Sequence, residues 1–102
     1  MQPESTPIKP AVLITIIGET VLQDRLVRLL ESQGATGYTI SAAQGAGRHG
    51  SRMGDIAGYN TNVEIKTVVS LEVSDDILLA LVPYLESHAL IAFRQSVEVL
   101  AS

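Results

Sequence analysis

The residues best suited to chemistry lie between positions 44 and 61, where several glycines stand close to basic side chains. Residues 45–50 read G-x-G-x-x-G, and five of the eight glycines of the chain fall within the segment. Glycines let the main chain approach an anion and present N–H groups to it. Arginine adds planar donors suited to phosphate or carboxylate, and histidine adds a donor that depends on pH. The pattern predicts an anion-binding loop that contains Gly45, Gly47, Arg48, His49 and Arg52.

The two standard nucleotide motifs are met only in part. The dinucleotide fingerprint needs a helix directly after its glycines, but residues 51–60 show no helical period. The phosphate-loop motif needs a lysine after its last glycine, and Ser51 stands there instead. The anion-binding prediction therefore depends on glycine and arginine chemistry, and a solvated arginine pair in a tolerated insertion stays open as the alternative.

The elements that must position this loop alternate between strand and helix. Residues 11–17 form a β-branched apolar run typical of a buried strand. An apolar stripe with helical spacing predicts a helix over residues 19–33 that ends at Gly34. Residues 37–43 alternate and predict a second strand. A two-residue turn could join this strand to the next, so a connection of about 18 residues favours a functional loop.

The second half of the chain repeats the order. Residues 62–72 alternate and predict a long third strand. Ser74 and the two aspartates after it predict a helix start, and Pro83 predicts a kink or an end in that helix. Residues 89–93 and 97–100 are expected to form short closing strands. The order βαββαβ predicts an α+β, ferredoxin-like fold with a long loop between its second and third strands.

The composition limits the classes of protein to which the chain can belong. The chain of 102 residues is 46% hydrophobic and 18% charged, which is typical of one globular domain, here expected over residues 11–102. A net charge of -4 and the lack of tryptophan disfavour nucleic-acid binding. The lack of cysteine excludes disulfides and thiolate chemistry. Residues 1–10 hold three of the four prolines, so we expect a disordered N-terminal tail there rather than a secretory signal.

Other titratable residues give weaker signals. His88 is interpreted as a cation near the negative end of a helix dipole, and the aspartates at 75 and 76 as part of a helix start. The two histidines lie far apart in sequence and have no acid at ligand spacing, so they form no metal signature. We therefore expect a protein without catalytic residues or a metal site, and not an enzyme.

Several motifs, taken in order, resemble the PII signalling family. Gly37-Tyr-Thr-Ile40 leads into Gly45-Ala-Gly-Arg48, and a strand over residues 62–69 and an acidic helix start at 74–76 follow the long segment. In that family the second strand runs into a G-x-G-R stretch at the base of a large loop. The resemblance spans residues 11–100, and the order of the motifs is more specific than any one of them.

Two departures point to the divergent PII-like group of that family. Conventional members bind nucleotide phosphates through a segment rich in glycine and lysine after the second helix. The corresponding residues 84–91 contain no glycine and no lysine. His49 stands where the conventional loop has glutamine, and this loop has no lysine. We therefore expect neither 2-oxoglutarate sensing nor tight ATP binding. Divergent members regulate bicarbonate transporters or accompany carboxysome genes, and they bind AMP, ADP or cyclic AMP.

The resemblance implies a non-enzymatic sensor that forms a homotrimer, with an adenine nucleotide in each cleft between subunits. Its loop would signal in inorganic carbon metabolism from the cytoplasm. A membrane bicarbonate transporter and a carboxysome-linked protein both stay open as the partner, as does binding of bicarbonate itself; no further cofactor is expected. By position, the phosphate end would be lined by Gly47, Arg48 and Arg52, and the adenine or ribose end by Thr39 and the backbone near Ala89 and Leu90.

Three other classes share this order of elements. A ligand-binding regulatory domain of another ferredoxin-like family stays open, and so does a small enzyme that handles a phosphorylated substrate through the loop. An RNA-binding module needs aromatic residues on its central strands for base stacking. Residues 63–71 contain no aromatic residue, which disfavours that class.

Overall fold

The computed structural model describes residues 7–43 and 62–100, which form a four-stranded antiparallel sheet with helices on one face. The strands are ordered β2-β3-β1-β4 across the sheet, and each neighbouring pair is antiparallel. This arrangement confirms the predicted ferredoxin-like α+β fold. The elements are β1 (Ile8–Glu19), a 3-10 turn (Thr20–Leu22), α1 (Gln23–Ser32), β2 (Thr39–Ala43), β3 (Asn62–Val69), α2 (Leu71–Leu81), α3 (Tyr84–Ser87) and β4 (Leu90–Leu100).

The hydrophobic core lies between the sheet and the helices. Side chains alternate between the two faces of a strand, so every second residue of β1 and β3 points toward the helices. Ile14 and Ile65 are fully buried there. They share one apolar cluster with Leu26 and Leu30 of α1 and with Ile77 of α2. The buried stripe predicted for the first helix is thus confirmed.

The first helix ends where the sequence predicts. Gly34 has a φ of 107°, in the left-handed region that residues with a Cβ atom avoid. Its N–H donates to the carbonyl of Glu31 at 3.2 Å, and the N–H of Ala35 donates to the carbonyl of Leu30 at 3.0 Å. These bonds satisfy carbonyls at the helix end, which is the usual role of a glycine at this position.

The second helix begins earlier than predicted, at Leu71 rather than at Ser74. Ser70 caps it, because its hydroxyl accepts a hydrogen bond from the N–H of Val73 at 3.2 Å. Ser74 lies inside the helix and is buried, and Arg94 of β4 donates to its hydroxyl at 2.9 Å. Ser70 and Ser74 both carry a hydroxyl that could cap a helix. The hydrogen bond from Arg94 holds Ser74 against the sheet as a residue inside the helix. The third strand is correspondingly shorter than predicted.

Pro83 interrupts the second helix, as predicted. Helix α2 ends at Leu81, and the short α3 follows with Pro83 at its N-cap. Ile77 and Leu81 of α2 are buried, whereas Val82 and Leu85, which follow the end of α2, are half-exposed. An interior proline cannot continue the hydrogen-bond pattern of a helix, so the residues after the break do not continue the buried face of α2.

Strand β4 is continuous, although the sequence predicts two short strands at 89–93 and 97–100. Its register with β1 runs without a break over all eleven of its residues. The polar residues 94–96 stay in the ladder because main-chain hydrogen bonds do not depend on the polarity of the side chain. The side chain of Arg94 lies on the helical face of the sheet, where it pairs with Asp75 of α2.

Strand β1 begins earlier than predicted, because residues 8–10 pair with residues 98–100 of β4. These three residues were assigned to a disordered tail, of which residues 1–6 lie outside the described part of the chain. Within the described part, β1 is paired with β3 only from Val12 onward. Pro10 lies in the part of β1 that is hydrogen-bonded to β4 alone. A proline is tolerated there, because no strand on the other side requires its missing N–H.

Replacing Gly34 by alanine tests the left-handed cap. We expect Gly34→Ala to lower the free energy of unfolding by about 1 kcal/mol, because a Cβ atom disfavours positive φ. This cost comes from the backbone conformation and not from a steric clash, because the nearest atom to an added Cβ, in the side chain of Val73, lies 3.6 Å away. Urea denaturation measures the change.

The matched control is Gly37→Ala. An added Cβ at Gly37 meets no atom within 4 Å, and its φ lies outside the positive range. We expect a change within a few tenths of a kcal/mol, or a small stabilisation from the stiffer unfolded chain. Equal destabilisation by both substitutions would contradict the role assigned to Gly34.

Candidate functional site

The face of the sheet opposite the helices, termed the open face, is covered by no element of the described residues. Strand alternation and register place two kinds of side chain on it. The side toward β1 and β4, termed the apolar half, presents mainly apolar side chains, namely Leu13, Ile17, Ile91, Phe93 and Val97, with the polar Thr15 and Gln95 among them. The side toward β2 and β3, termed the polar half, presents Thr39, Ser41, Glu64 and Lys66 beside the apolar Val68.

A groove of about 470 Å³ lies on the open face beside the polar half. Leu13 and Val68, which are register partners on adjacent strands, contribute its apolar surface. Tyr38 adds an aromatic side chain that is 41% exposed. Thr39 and Lys66 add a hydroxyl and an ammonium group. An apolar cleft with a few polar groups at its edge suits a flat organic ligand that carries polar substituents.

The segment before β2 forms one wall of this groove and is held to β3. The hydroxyl of Thr67 donates to the carbonyl of Gly37 at 2.6 Å, and Thr67 is only 3% exposed. Thr39 follows directly and is the register partner of Lys66. The hydrogen bond of Thr67 and the strand pairing together fix the position of Tyr38 and Thr39 relative to the open face.

The structure separates two groups of predicted site residues. Thr39 lies on β2 in the groove, whereas Leu90 begins β4 and Ala89 directly precedes it. With β3 and β1 between these strands, Thr39 and Leu90 are roughly 14 Å apart across the sheet, or more. One chain therefore does not bring them to a common site. The remaining predicted residues, Gly45, Gly47, Arg48, His49 and Arg52, lie outside the described residues.

The predicted loop starts and ends at one end of the sheet. Ala43, the last residue of β2, is the register partner of Asn62, the first residue of β3. Asn62 is in turn paired with Glu19 at the end of β1. Asn62 and Lys66 are four residues apart on β3, or roughly 13 Å. The groove and the base of the loop thus share the same two strands.

His88 lies near this end of the sheet and contacts an acid. It terminates α3, as expected of a residue at a helix end, and its N–H donates to the carbonyl of Tyr84 at 3.1 Å. Its Nδ1 atom lies 3.4 Å from a carboxylate oxygen of Glu19. The contact joins the α3–β4 connection to the end of β1.

The family resemblance predicted Thr39 as a site residue, and sequence reasoning did not predict the rest of the groove. Lys66, Leu13 and Val68 were read only as parts of strands. No local signal marks these residues, because the groove exists only after three strands are paired. Within residues 7–43 and 62–100, no group of histidine, aspartate and glutamate could hold a metal ion. No helix of that part has the length and apolar content needed to cross a membrane.

Comparison with known proteins identifies the family. The sequence matches the family model of the nitrogen regulatory protein P-II over residues 11–101. The chain therefore belongs to the P-II family, which is a family of signalling proteins. No curated protein matches the sequence.

Solved structures place the chain among the PII-like proteins. A protein from Thermus thermophilus, described as a PII-like signalling protein, is 39% identical over 91% of this chain and 92% of that one, with a TM-score of 0.76. CPII from Thiomonas intermedia, bound to ADP, AMP and bicarbonate, is 26% identical over 90% of this chain and 94% of its own, with a TM-score of 0.77.

CPII bound to ADP and bicarbonate gives a TM-score of 0.79 at 25% identity, over 94% of each chain. The resemblance to the divergent PII-like group is thus confirmed.

The hydrogen bond of Thr67 is testable by an isosteric substitution. We expect Thr67→Val to lower the free energy of unfolding by about 1 kcal/mol, because the hydrogen bond from its buried hydroxyl to the carbonyl of Gly37 is lost. Thr15→Val is the control, since Thr15 is 2% exposed and its hydroxyl makes no hydrogen bond to any residue of the described ranges. Thermal denaturation at equal protein concentration measures both. A larger loss for Thr15→Val would refute this role of Thr67.

Proposed function

We propose that the protein is a non-enzymatic regulatory sensor that binds an adenine nucleotide in the groove and signals through residues 44–61. The observation that carries the proposal is the position of the groove, which lies on the same two strands that bear the base of the loop. The CPII structures with ADP, AMP and bicarbonate support it. Ligand binding at this position can act on the loop directly, through strands that both share.

The groove has the chemistry that an adenine base needs. A purine is flat and apolar on its two faces and carries polar atoms on its edge. Leu13, Val68 and the exposed ring of Tyr38 offer apolar and aromatic surface to the faces. The hydroxyls of Thr36 and Thr39 offer hydrogen-bond partners to the edge. The proposal therefore places the base in the groove and directs the phosphates toward the base of the loop.

A homotrimer is part of the proposal. The apolar half of the open face leaves Ile91 59% exposed, and an uncovered apolar surface of this kind marks an interaction site. Thr39 and Leu90 lie on opposite edges of the sheet, so both can contact one nucleotide only if Leu90 comes from a second subunit. Packing of the apolar halves around a three-fold axis would place a groove at each subunit boundary.

The loop would supply the phosphate end and the signal. Gly47, Arg48 and Arg52 are proposed to contact the phosphates, with Gly45 and His49 beside them. A ligand shifts a conformational equilibrium only by its difference in affinity between the two states. The proposed difference is the set of charge-assisted bonds that the loop would make to the phosphates when nucleotide binding orders it. A segment rich in glycine loses much entropy on ordering, so we expect micromolar affinity.

Inorganic carbon metabolism is the proposed setting. Bicarbonate is bound in CPII structures with ADP, and CPII resembles this chain over nearly its whole length. The partner of the loop would be a membrane bicarbonate transporter or a carboxysome-linked protein, and the sensor would act in the cytoplasm. Bicarbonate binding by this chain belongs to the same proposal.

Calorimetry tests nucleotide binding. We expect AMP, ADP or cyclic AMP to bind the purified full-length protein with micromolar affinity, and Arg48→Ala or Arg52→Ala to weaken ADP binding about tenfold through the loss of a charge-assisted bond. Arg25→Ala is the control, because Arg25 is exposed on α1, on the helical side of the sheet. If no adenine nucleotide releases or absorbs heat at millimolar concentration, the proposed function is wrong.

Sedimentation equilibrium tests the trimer. We expect Ile91→Asp to dissociate it, because a carboxylate would be buried without a partner in the apolar half. Leu79→Asp is the matched control, since Leu79 is an equally apolar side chain, 71% exposed on α2 on the other side of the molecule. A wild-type monomer, or two variants that dissociate alike, would contradict the proposed interface.

A further inference from the structure

We propose that Lys66 is the anion contact of the groove, binding the phosphate nearest the sugar, and that Glu64 competes with the ligand for it. The inference rests on the proposed nucleotide function and adds its charge selectivity. It predicts that the site distinguishes a nucleotide from the corresponding nucleoside through one lysine of β3. It also predicts that the carboxylate of Glu64 sets how strongly the site prefers the nucleotide to the nucleoside.

Lys66 is placed to meet a ligand in the groove. It lines the groove and projects from the open face between two register partners, Thr39 on β2 and Thr15 on β1. Both partners are short hydroxyl side chains, and Thr15 is buried. The lysine stem is therefore flanked on both sides, while its ammonium group, which carries three donors, stays partly exposed.

The open face offers little other positive charge in its described part. Lys9 also projects from this face, but it lies six residues along β1 from Thr15, or roughly 20 Å away. That distance exceeds the screening length of about 8 Å at physiological ionic strength. In a chain with a net charge of -4, Lys66 alone among the described residues can make the surroundings of the groove attractive to an anion.

Glu64 is an internal competitor for this ammonium. It lies two residues before Lys66 on the same strand face, and its Oε1 atom is 4.0 Å from the lysine Nζ. The hydroxyl of Ser41 on β2 donates to the same oxygen at 3.5 Å. A partly exposed pair at this separation is weak, so a ligand phosphate with a higher charge can displace the carboxylate from the lysine.

The direction of the strand explains why a phosphate arrives here. Val68 contributes to the apolar surface on which the base would lie, and the next residues on the same face toward the loop are Lys66, then Glu64, then Asn62. A sugar and phosphate that leave the groove toward the loop pass Lys66 first. The proposed contacts of Arg48 and Arg52 would then be to phosphates farther from the sugar. An experiment can therefore distinguish the contact of Lys66 from the contacts of the two arginines.

Calorimetry with AMP and adenosine on the full-length protein tests the inference. We expect wild type to bind AMP more tightly than adenosine. Lys66→Gln should weaken AMP binding about tenfold and leave adenosine within twofold, because only the charged ligand loses a charge-assisted bond. Lys66→Arg should retain AMP binding within about threefold. Glu64→Gln should tighten AMP binding two- to fivefold, because the competing carboxylate is removed.

Controls separate this inference from folding and from the proposed function. Lys9→Gln removes the same charge from the same face at a distance, and it should leave both affinities unchanged. Circular dichroism and sedimentation verify that each variant is folded and assembled. Equal weakening of AMP and adenosine by Lys66→Gln would overturn the inference and show that the lysine only shapes the groove. AMP binding unchanged in Lys66→Gln would overturn it too, and wild type that binds neither ligand would overturn the proposed function and the inference together.

Discussion

The pairing of β1 with two neighbours is the constraint on which the rest of the structure depends. Strand β1 is hydrogen-bonded to β3 on one side and to β4 on the other, so its side chains must alternate between two faces that differ in environment. Residues such as Ile14 and Ile16 are sealed under the helices. Their neighbours, among them Leu13, are directed to the open face. The helices pack on one face only, and no element of residues 7–43 and 62–100 covers the apolar side chains of the other face.

In the proposed function, the open face would serve both assembly and ligand binding. Its apolar side chains lie mainly toward β1 and β4, and the charged pair Glu64 and Lys66 lies toward β2 and β3. The strand order places the two loop-bearing strands together at one edge. In the proposed trimer, a ligand at that edge would lie beside both the subunit boundary and the loop. Binding, assembly and signalling would then be coupled through two strands.

Two of the predictions that failed share one cause. The second helix was expected to start at Ser74, yet Ser70 caps it, because Arg94 reaches Ser74 from a strand about 20 residues further along the chain. The closing strand was expected to break at residues 94–96, yet it continues because β1 supplies a main-chain partner at each position. In both places a contact distant in sequence outweighed a correct local signal, since capping and strand propensities are worth only about 1 kcal/mol each.

The sequence alone determined the order of elements, the end of the first helix at Gly34 and the interruption at Pro83, because the physical causes are local: periodicity, positive φ and a missing N–H. It also predicted an anion-binding loop, and the order of its motifs indicated the PII family. The tertiary structure decided the groove, since Tyr38, Lys66 and Leu13 meet only when three strands pair. Register has no local signature, because it depends on hydrogen bonds between residues that are far apart in the chain.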